Sequence, residues 1–511
     1  MGQQKSKLDA GKKKQRRLSA NQTKALRWGI ALVALFAILI VLGLAVANDW
    51  FSGFGPACTV GGIEISKEEY NFNFFSNYSS FVSYYSGNLS SLGLDTSKPL
   101  SSQQYSDEKT WQEFFDEQTY QNLADVVAMS ETAKKAGVTL NEKNQAQVDD
   151  YVENVKTGAK NNKLSFAAYT KQVFGRKMNE EQIRSAMGRV LLADQYAADL
   201  YDSYEFTDEA IDKEYNENRD TYDKIDYRVI TVNADMPSSE DLEGDAYDKA
   251  VSEAMSAAKT KADELMKKIS GNGTVTETRF AEVALEYAKE IAEDEEKAAE
   301  ITADDSLKTA VGKSGVEDEE GGEWLFDASR KSFDTSVIEE ADAYSIYLFV
   351  NRYKDEYRAV NVRHILVPFN DETSDAKSEA EDAAAKAKAE EYMDEFKAAG
   401  ATEDAFAELA QKYGKDATTE NGGLMEDVVK GQMVETFNDW IFAPERKVGD
   451  YDLVRTEYGW HLVYFSGFSK EAYRLSVEEA VRQRTYNAEY DQIMVNYPVT
   501  VDGVQVYTYS R

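Results

Sequence analysis

The sequence predicts an α+β multidomain chain: an N-terminal transmembrane helix, a mainly helical region, and two tandem α+β units, each an antiparallel sheet with flanking helices. Three observations predict it. Residues 28–47 read WGIALVALFAILIVLGLAVA, twenty residues without a charge, enough to cross a bilayer as a helix. From about 110 to 215, apolar positions recur at three-to-four spacing, the helical period. From 223 to 469, one pattern of strands and helices occurs twice. A chain of 511 residues with 42% apolar and 12% aromatic side chains is globular in composition and too long for one core.

Taken in order, residues 1–27 form a basic tail with nine Lys/Arg and a single acid, Asp9. The positive-inside rule keeps such a tail in the cytoplasm and sends the bulk of the chain outside. The expectation is a retained single-pass anchor at 28–47. A cleaved signal peptide usually has a shorter apolar core, and no small-x-small site directly follows Ala47. The stretch GPAC before Cys58 has a faint likeness to a lipoprotein cleavage site but lacks the leucine. MGQQKS fits the myristoylation pattern, which carries no weight in front of a complete span. After a linker at 48–57, VGGIEI reads as a hairpin, and Ser66 as the cap of a helix starting at Lys67. Thr139, Ser165 and Thr207 read as further N-caps. The aromatic run NFNFFSNYSSFVSYY has helical spacing, which suits core better than an exposed groove. The tail after 470 is one helix and a hairpin at NYPVTVDGVQVYTYS, too small for its own core. It is expected to complete the helical region, giving one domain of 58–222 with 470–511.

The repeat divides the remainder at 223–356 and 357–469. WLFDASRKSFDTSVIEEADAYSIYLFV (324–350) aligns without a gap on WIFAPERKVGDYDLVRTEYGWHLVYFS (440–466), and DYRVITV (226–232) on NVRHILV (361–367). The only two histidines, His364 and His461, lie in the second copy. Val229 and Ser345 hold their positions in the first. Alternation along a strand puts Val362, His364 and Leu366 on one face, and His461 with Val463 and Phe465. End strands of a small α+β unit commonly pair, which would bring the histidines together.

Composition excludes several classes. A net charge of −34 repels phosphate backbones, so nucleic acid is not an expected partner. One cysteine excludes an intrachain disulfide and a cysteine-based metal site. There is no G-x-S-x-G and no phosphate-binding G-x-x-x-x-G-K-[ST]. Two histidines with Asp416 fall short of the three or four committed ligands of zinc sites, so neither metal nor cofactor is expected.

NVRHILV, the FAELA helix ending in KYGKD, NGGL, GQMVETF and GDYDLVRTEYGWHLVYF occur in that order between 361 and 465. This stretch resembles a parvulin-type peptidyl-prolyl cis-trans isomerase domain. With the anchor, the helical region and the tail, the whole chain resembles a membrane-anchored foldase of the SurA/PrsA kind from the bacterial cell envelope. The resemblance implies that His364 and His461 are the paired active-site histidines, with Asp416 beside them. It implies that Leu424, Met433 and Phe437 form the apolar pocket for the substrate proline. The pattern departs from the family at GGLMEDV and at Thr436-Phe437, which bears on substrate preference. It further implies a degenerate first unit and a helical chaperone domain. The expected partners are unfolded secreted proteins with X-Pro bonds. The rival expectation is a holdase that binds unfolded clients without catalysis. The acid-rich stretch NDETSDAKSEAEDAAAKAKAEE argues against a preference for phosphorylated substrates.

Overall fold

A computed structural model describes residues 55–238, 244–271, 273–369 and 378–507. The expected tail at 1–27 and transmembrane helix at 28–47 lie outside these residues. Among the described residues no helix is long and apolar enough to cross a membrane. The chain forms two compact units, one built from residues up to Ser203 together with those from Thr485, the other from Tyr204–Arg484. Residues 204–222 and the start of the last helix therefore group with the second unit, not with the helical region as the expected boundaries had them.

The first unit starts with strands β1 (Cys58–Val60) and β2 (Ile63–Ile65). Helices α1 (Lys67–Tyr84), α2 (Trp111–Lys135), α3 (Glu142–Asn161), α4 (Phe166–Phe174) and α5 (Glu180–Asp202) follow. Ser66 caps α1 by accepting from the Glu69 N–H, and Ser165 caps α4. Thr139 does not cap α3. Asn141 takes that role, its Oδ1 accepting from Asn144 N–H at 2.8 Å, while the Thr139 carbonyl accepts from Gln195 Nε2. Asn141→Ala is expected to cost about 1 kcal/mol, read as a lower urea midpoint with an unchanged slope, whereas Thr139→Ala should leave it in place. The chain end returns to this unit: β11 (Val499–Val501) pairs with β1 in a sheet ordered β12-β11-β1-β2, with β12 at Val504–Tyr507. Cys58 is 2% exposed in the core beneath this sheet, with Leu123 and Val127 of α2. Burial pushes its thiol up to about 12, so it is an inert core group.

The second unit begins with α6 (Asp208–Glu217) and α7 (Arg219–Tyr222), which pack against the start of the last helix, α15 (Ala472–Met494). Thr207 caps α6. Two four-stranded antiparallel sheets follow, ordered β4-β3-β6-β5 and β8-β7-β10-β9. The first is built from β3 (Lys224–Asn233), β4 (Leu307–Val311), β5 (Thr335–Glu339) and β6 (Ala343–Tyr353). Its helices are α8 (Asp245–Ser270), α9 (Glu277–Glu290), α10 (Glu295–Glu300) and α11 (Gly322–Phe326). The second is built from β7 (Arg358–Pro368), β8 (Leu424–Val428), β9 (Tyr451–Arg455) and β10 (Gly459–Glu471). Its helices are α12 (Glu379–Ala398), α13 (Glu403–Tyr413) and α14 (Glu435–Ile441).

The two sheets share their register as well as their order. Val229 pairs with Tyr347 and Thr231 with Ser345 in one. His364 pairs with Val463 and Leu366 with His461 in the other. These are the same four positions under the offsets that align the sequences. Each sheet buries one face under its long helices, through Ile230, Val232 and Ile346 in the first and Ile365 and Leu462 in the second.

Candidate active site

On the other face of the second sheet, His364 sits opposite Val463 and His461 opposite Leu366, so the two imidazoles are diagonal neighbours across the β7–β10 ladder. Their Nδ1 atoms are 3.2 Å apart and the rings are nearly parallel at 17°. Asp416 arrives from the loop after α13. Its Oδ2 lies 3.4 Å from His364 Nε2, and its Oδ1 accepts from the Thr418 backbone N–H at 2.9 Å and hydroxyl at 2.6 Å. At the far end, Thr456 Oγ1 lies 3.0 Å from His461 Nε2. Thr456 is 3% exposed and His461 7%.

Burial pushes the His364 pKa below the ordinary imidazole value, against the pull of Asp416. Burial and the neighbouring His364 push His461 down to about 3. Both rings are therefore neutral near pH 7, and each carries one N–H. A carboxylate only accepts, so the proton of His364 is assigned to Nε2, facing Asp416. His364 Nδ1 then accepts from His461 Nδ1–H, and His461 Nε2 accepts from the Thr456 hydroxyl. One directed chain, Thr456 to His461 to His364 to Asp416, satisfies all four side chains without a charge on either ring.

Against this chain stands an apolar cluster. Phe437, 3% exposed, presents its ring edge-on to both imidazoles, with centroids 6.0 Å from His364 and 5.3 Å from His461. Val362, Val463 and Phe465 are buried with it, and Met425 and Met433 pack onto them. Of the three expected pocket residues, the structure thus brings Phe437 to the histidines and packs Met433 onto the same cluster, but not Leu424. Leu424 pairs with Arg363 and Met425 with Val362, so alternation puts Leu424 on the helix face and Met425 on the histidine face. Thr418, Thr456 and Met425 are the site residues the sequence reading missed. Thr418 lies two residues past Asp416, the spacing of an Asx turn, and the hydroxyl of Thr456 has no distinguishing pattern.

Two glycines lock this geometry. Gly422 and Gly423 both have positive φ, and Gly423 accepts the His364 N–H at 2.9 Å and donates to the Thr418 carbonyl at 2.9 Å. A Cβ on Gly423 would lie 2.4 Å from the His364 carbonyl oxygen.

The first sheet shows which residues the architecture itself requires. Arg363 bonds Glu403 at 3.0 Å and the Asn421 and Gly422 carbonyls at 2.9 Å. Its repeat counterpart Arg228 bonds Glu277 at 3.0 Å and the Ala303 carbonyl at 2.6 Å. Both glutamates open a helix, directly after a capping threonine. The structural arginine is present in both copies, while Val229 and Ser345 take the histidine positions in the first.

Comparison with known proteins points the same way. Residues 344–467 match the PPIC-type PPIASE domain. The match begins inside β6, a strand of the first sheet, whereas the ladder holding the histidines starts at Arg358. The foldase protein PrsA 1 of Listeria monocytogenes is 41% identical over 59 residues, 11% of this chain and 20% of that protein. The chaperone SurA of Methylobacillus flagellatus is 26% identical over 158 residues, 29% of this chain and 33% of that protein. The matched segments thus span a fifth to a third of these relatives' lengths. Among solved structures, the peptidylprolyl isomerase PrsA of Bacillus anthracis covers 59% of this chain and 93% of its own at 14% identity, with a TM-score of 0.18. PrsA of Bacillus subtilis covers 63% and 87% at 15% identity, also with a TM-score of 0.18. These scores are too low for inference from the whole superposition. Family match and sequence relatives agree that the chain carries a parvulin-type (PPIC) peptidyl-prolyl isomerase domain and resembles the PrsA and SurA foldases.

Proposed function

We propose that the chain is a foldase in which residues 357–469 turn over X-Pro bonds of unfolded, secreted polypeptides. One observation carries the reading. The first sheet keeps the order, register and structural arginine of the second without any histidine, so the fold does not account for His364 and His461.

The reaction makes few demands. Rotation about a peptide bond faces a barrier of roughly 18–20 kcal/mol, and uncatalysed X-Pro exchange takes tens to hundreds of seconds. No bond breaks. The planar amide is more dipolar than the twisted one, so an apolar, water-poor slot favours the twisted state. Met425, Met433 and Phe437 form that slot. The neutral imidazole pair, its tautomers held by Asp416 and Thr456, sets the local field without a full charge. No proton transfer is assigned.

The remaining parts fit the same role. The anchor expected at 28–47 would hold the chain at the cell membrane, with its bulk outside. The helical unit would bind unfolded clients, and the first sheet would be a degenerate isomerase copy. The test is cis-trans exchange of a short X-Pro peptide followed by NMR with the full chain. Catalysis is expected, with Met425→Ala lowering kcat/KM about ten-fold and Leu424→Ala leaving it unchanged. An uncatalysed rate with wild-type protein would refute the reading, and equal losses at both positions would refute the slot.

A further inference from the structure

In both sheets the flanking strand stops early, β8 pairing with β7 only over Val360–Arg363, and the two copies differ at the next residue. Strand β4 pairs with β3 only over Ile225–Arg228. Beyond Arg228, β3 is paired on one side alone, with β6. Ala234 donates its N–H to Asp342 on the β6 side. The two-residue period then turns the backbone groups of Val229 and Thr231 toward the open edge. His364, at the position of Val229, spends its N–H on Gly423.

A cavity of about 160 Å³ lies against this edge, lined by Val229, Ile230 and Thr231, with Ala284, Tyr287, Ala288 and Ile291 from the end of α9. Successive side chains of a strand point to opposite faces. Three consecutive residues can therefore line one cavity only where it looks onto the strand edge. Its volume is below the ~300 Å³ of the smallest usual small-molecule pockets and suits a single aliphatic side chain. Ile291 at its mouth is 56% exposed.

The chain segment that leaves the cavity wall at Ile291 and rejoins it at Thr302 is strongly charged. Between Ala288 and Leu307 the first copy has eighteen residues (289–306), where the second has nine (415–423) between Gly414 and Leu424. The longer segment includes α10 and places eight carboxylates against two lysines, Lys289 and Lys297, with Glu290 and Asp304 also paired to Lys261 and Arg228. Asp305 itself lines the cavity, and Glu295, Glu296 and Glu300 are exposed.

We infer that this edge is a docking site for a cationic, extended polypeptide segment, which adds a strand to β3 beyond Arg228. Backbone bonds to Val229 and Thr231 give sequence-independent affinity. One apolar side chain enters the cavity beside Tyr287, and flanking lysines or arginines meet the acidic rim. An acidic segment is rejected by the same charges. The role is separate from turnover at His364 and His461, and under the foldase reading it names which stretch of a client is held.

The probe is a fluorescein-labelled peptide, Lys-Leu-Lys-Val-Lys-Leu-Lys, with a counterpart carrying glutamate for lysine, each titrated against the full chain by anisotropy. The lysine peptide is expected to bind, to weaken strongly with added salt, and to outcompete the glutamate peptide. Ala288→Trp, which fills the cavity, should weaken binding about ten-fold or more. The paired surface change Glu295→Lys with Glu296→Lys should weaken it comparably while preserving the fold, since both side chains are exposed. X-Pro exchange catalysed by the second sheet should be unaltered in each variant, which separates this inference from the isomerase reading. It is overturned if the lysine peptide fails to bind, if the glutamate peptide binds equally, or if binding survives both the cavity and the rim variants.

Discussion

Lowering the pH from 7 to 5 is expected to destabilise the histidine-bearing domain by roughly 2 kcal/mol through His461 alone, with His364 adding to it in the same direction. The cause is the burial of two neutral imidazoles. In the unfolded chain each takes up a proton near the ordinary value of about 6.5. In the folded domain His461 resists protonation down to about 3, because burial and then His364 oppose the charge, with Asp416 offsetting only part of this. Between those values the unfolded state binds more protons than the native one, so stability falls as pH falls. Well above pH 6.5 the effect vanishes, since both states are neutral there. Urea unfolding of a 357–469 fragment, followed by the fluorescence of Trp440 and Trp460, reads it directly. His461→Gln should flatten the slope between pH 6.5 and 5. An equal slope in that variant would mean that His461 does not contribute to the acid limit.

Gly423→Ala is expected to cost roughly 3–5 kcal/mol, combining a left-handed alanine with a buried backbone clash. The new methyl would sit 2.4 Å from the His364 carbonyl oxygen and 3.0 Å from Ala410 Cβ, and neither is the free end of a flexible side chain. Relief requires the turn to leave β7, breaking the Gly423 carbonyl bond to the His364 N–H and loosening the tie to Thr418. Asp416 is held through Thr418, so activity should fall further than stability alone predicts. A loss below about 1 kcal/mol in the same urea experiment would contradict this account.

Much of the site was legible in the sequence because it depends on local alternation and on repetition. The face shared by Val362, His364 and Leu366 follows from the strand period. The offsets that align DYRVITV with NVRHILV are the offsets of the two ladders. What escaped reading sits beyond turns. Leu424 and Met425 differ only in parity, and parity cannot be counted through Gly422 and Gly423, whose positive φ values reset the chain direction. Thr456 becomes a partner of His461 only because the β9–β10 turn folds it back. Asn141 displaced Thr139 as a cap because Gln195, over fifty residues away, engages the Thr139 carbonyl and the Asn141 N–H. Such long-range contacts have no local signature.

The central claim is that the two histidines serve the substrate and not the fold. The chain supplies its own control, since the first sheet holds valine and serine at the same register positions. The decisive measurement is X-Pro exchange by the full chain carrying His364→Val together with His461→Ser. The account predicts a folded protein, with amide exchange in β7 and β10 close to wild type, and a cis-trans rate near the uncatalysed one. Wild-type catalysis by that folded variant would contradict it.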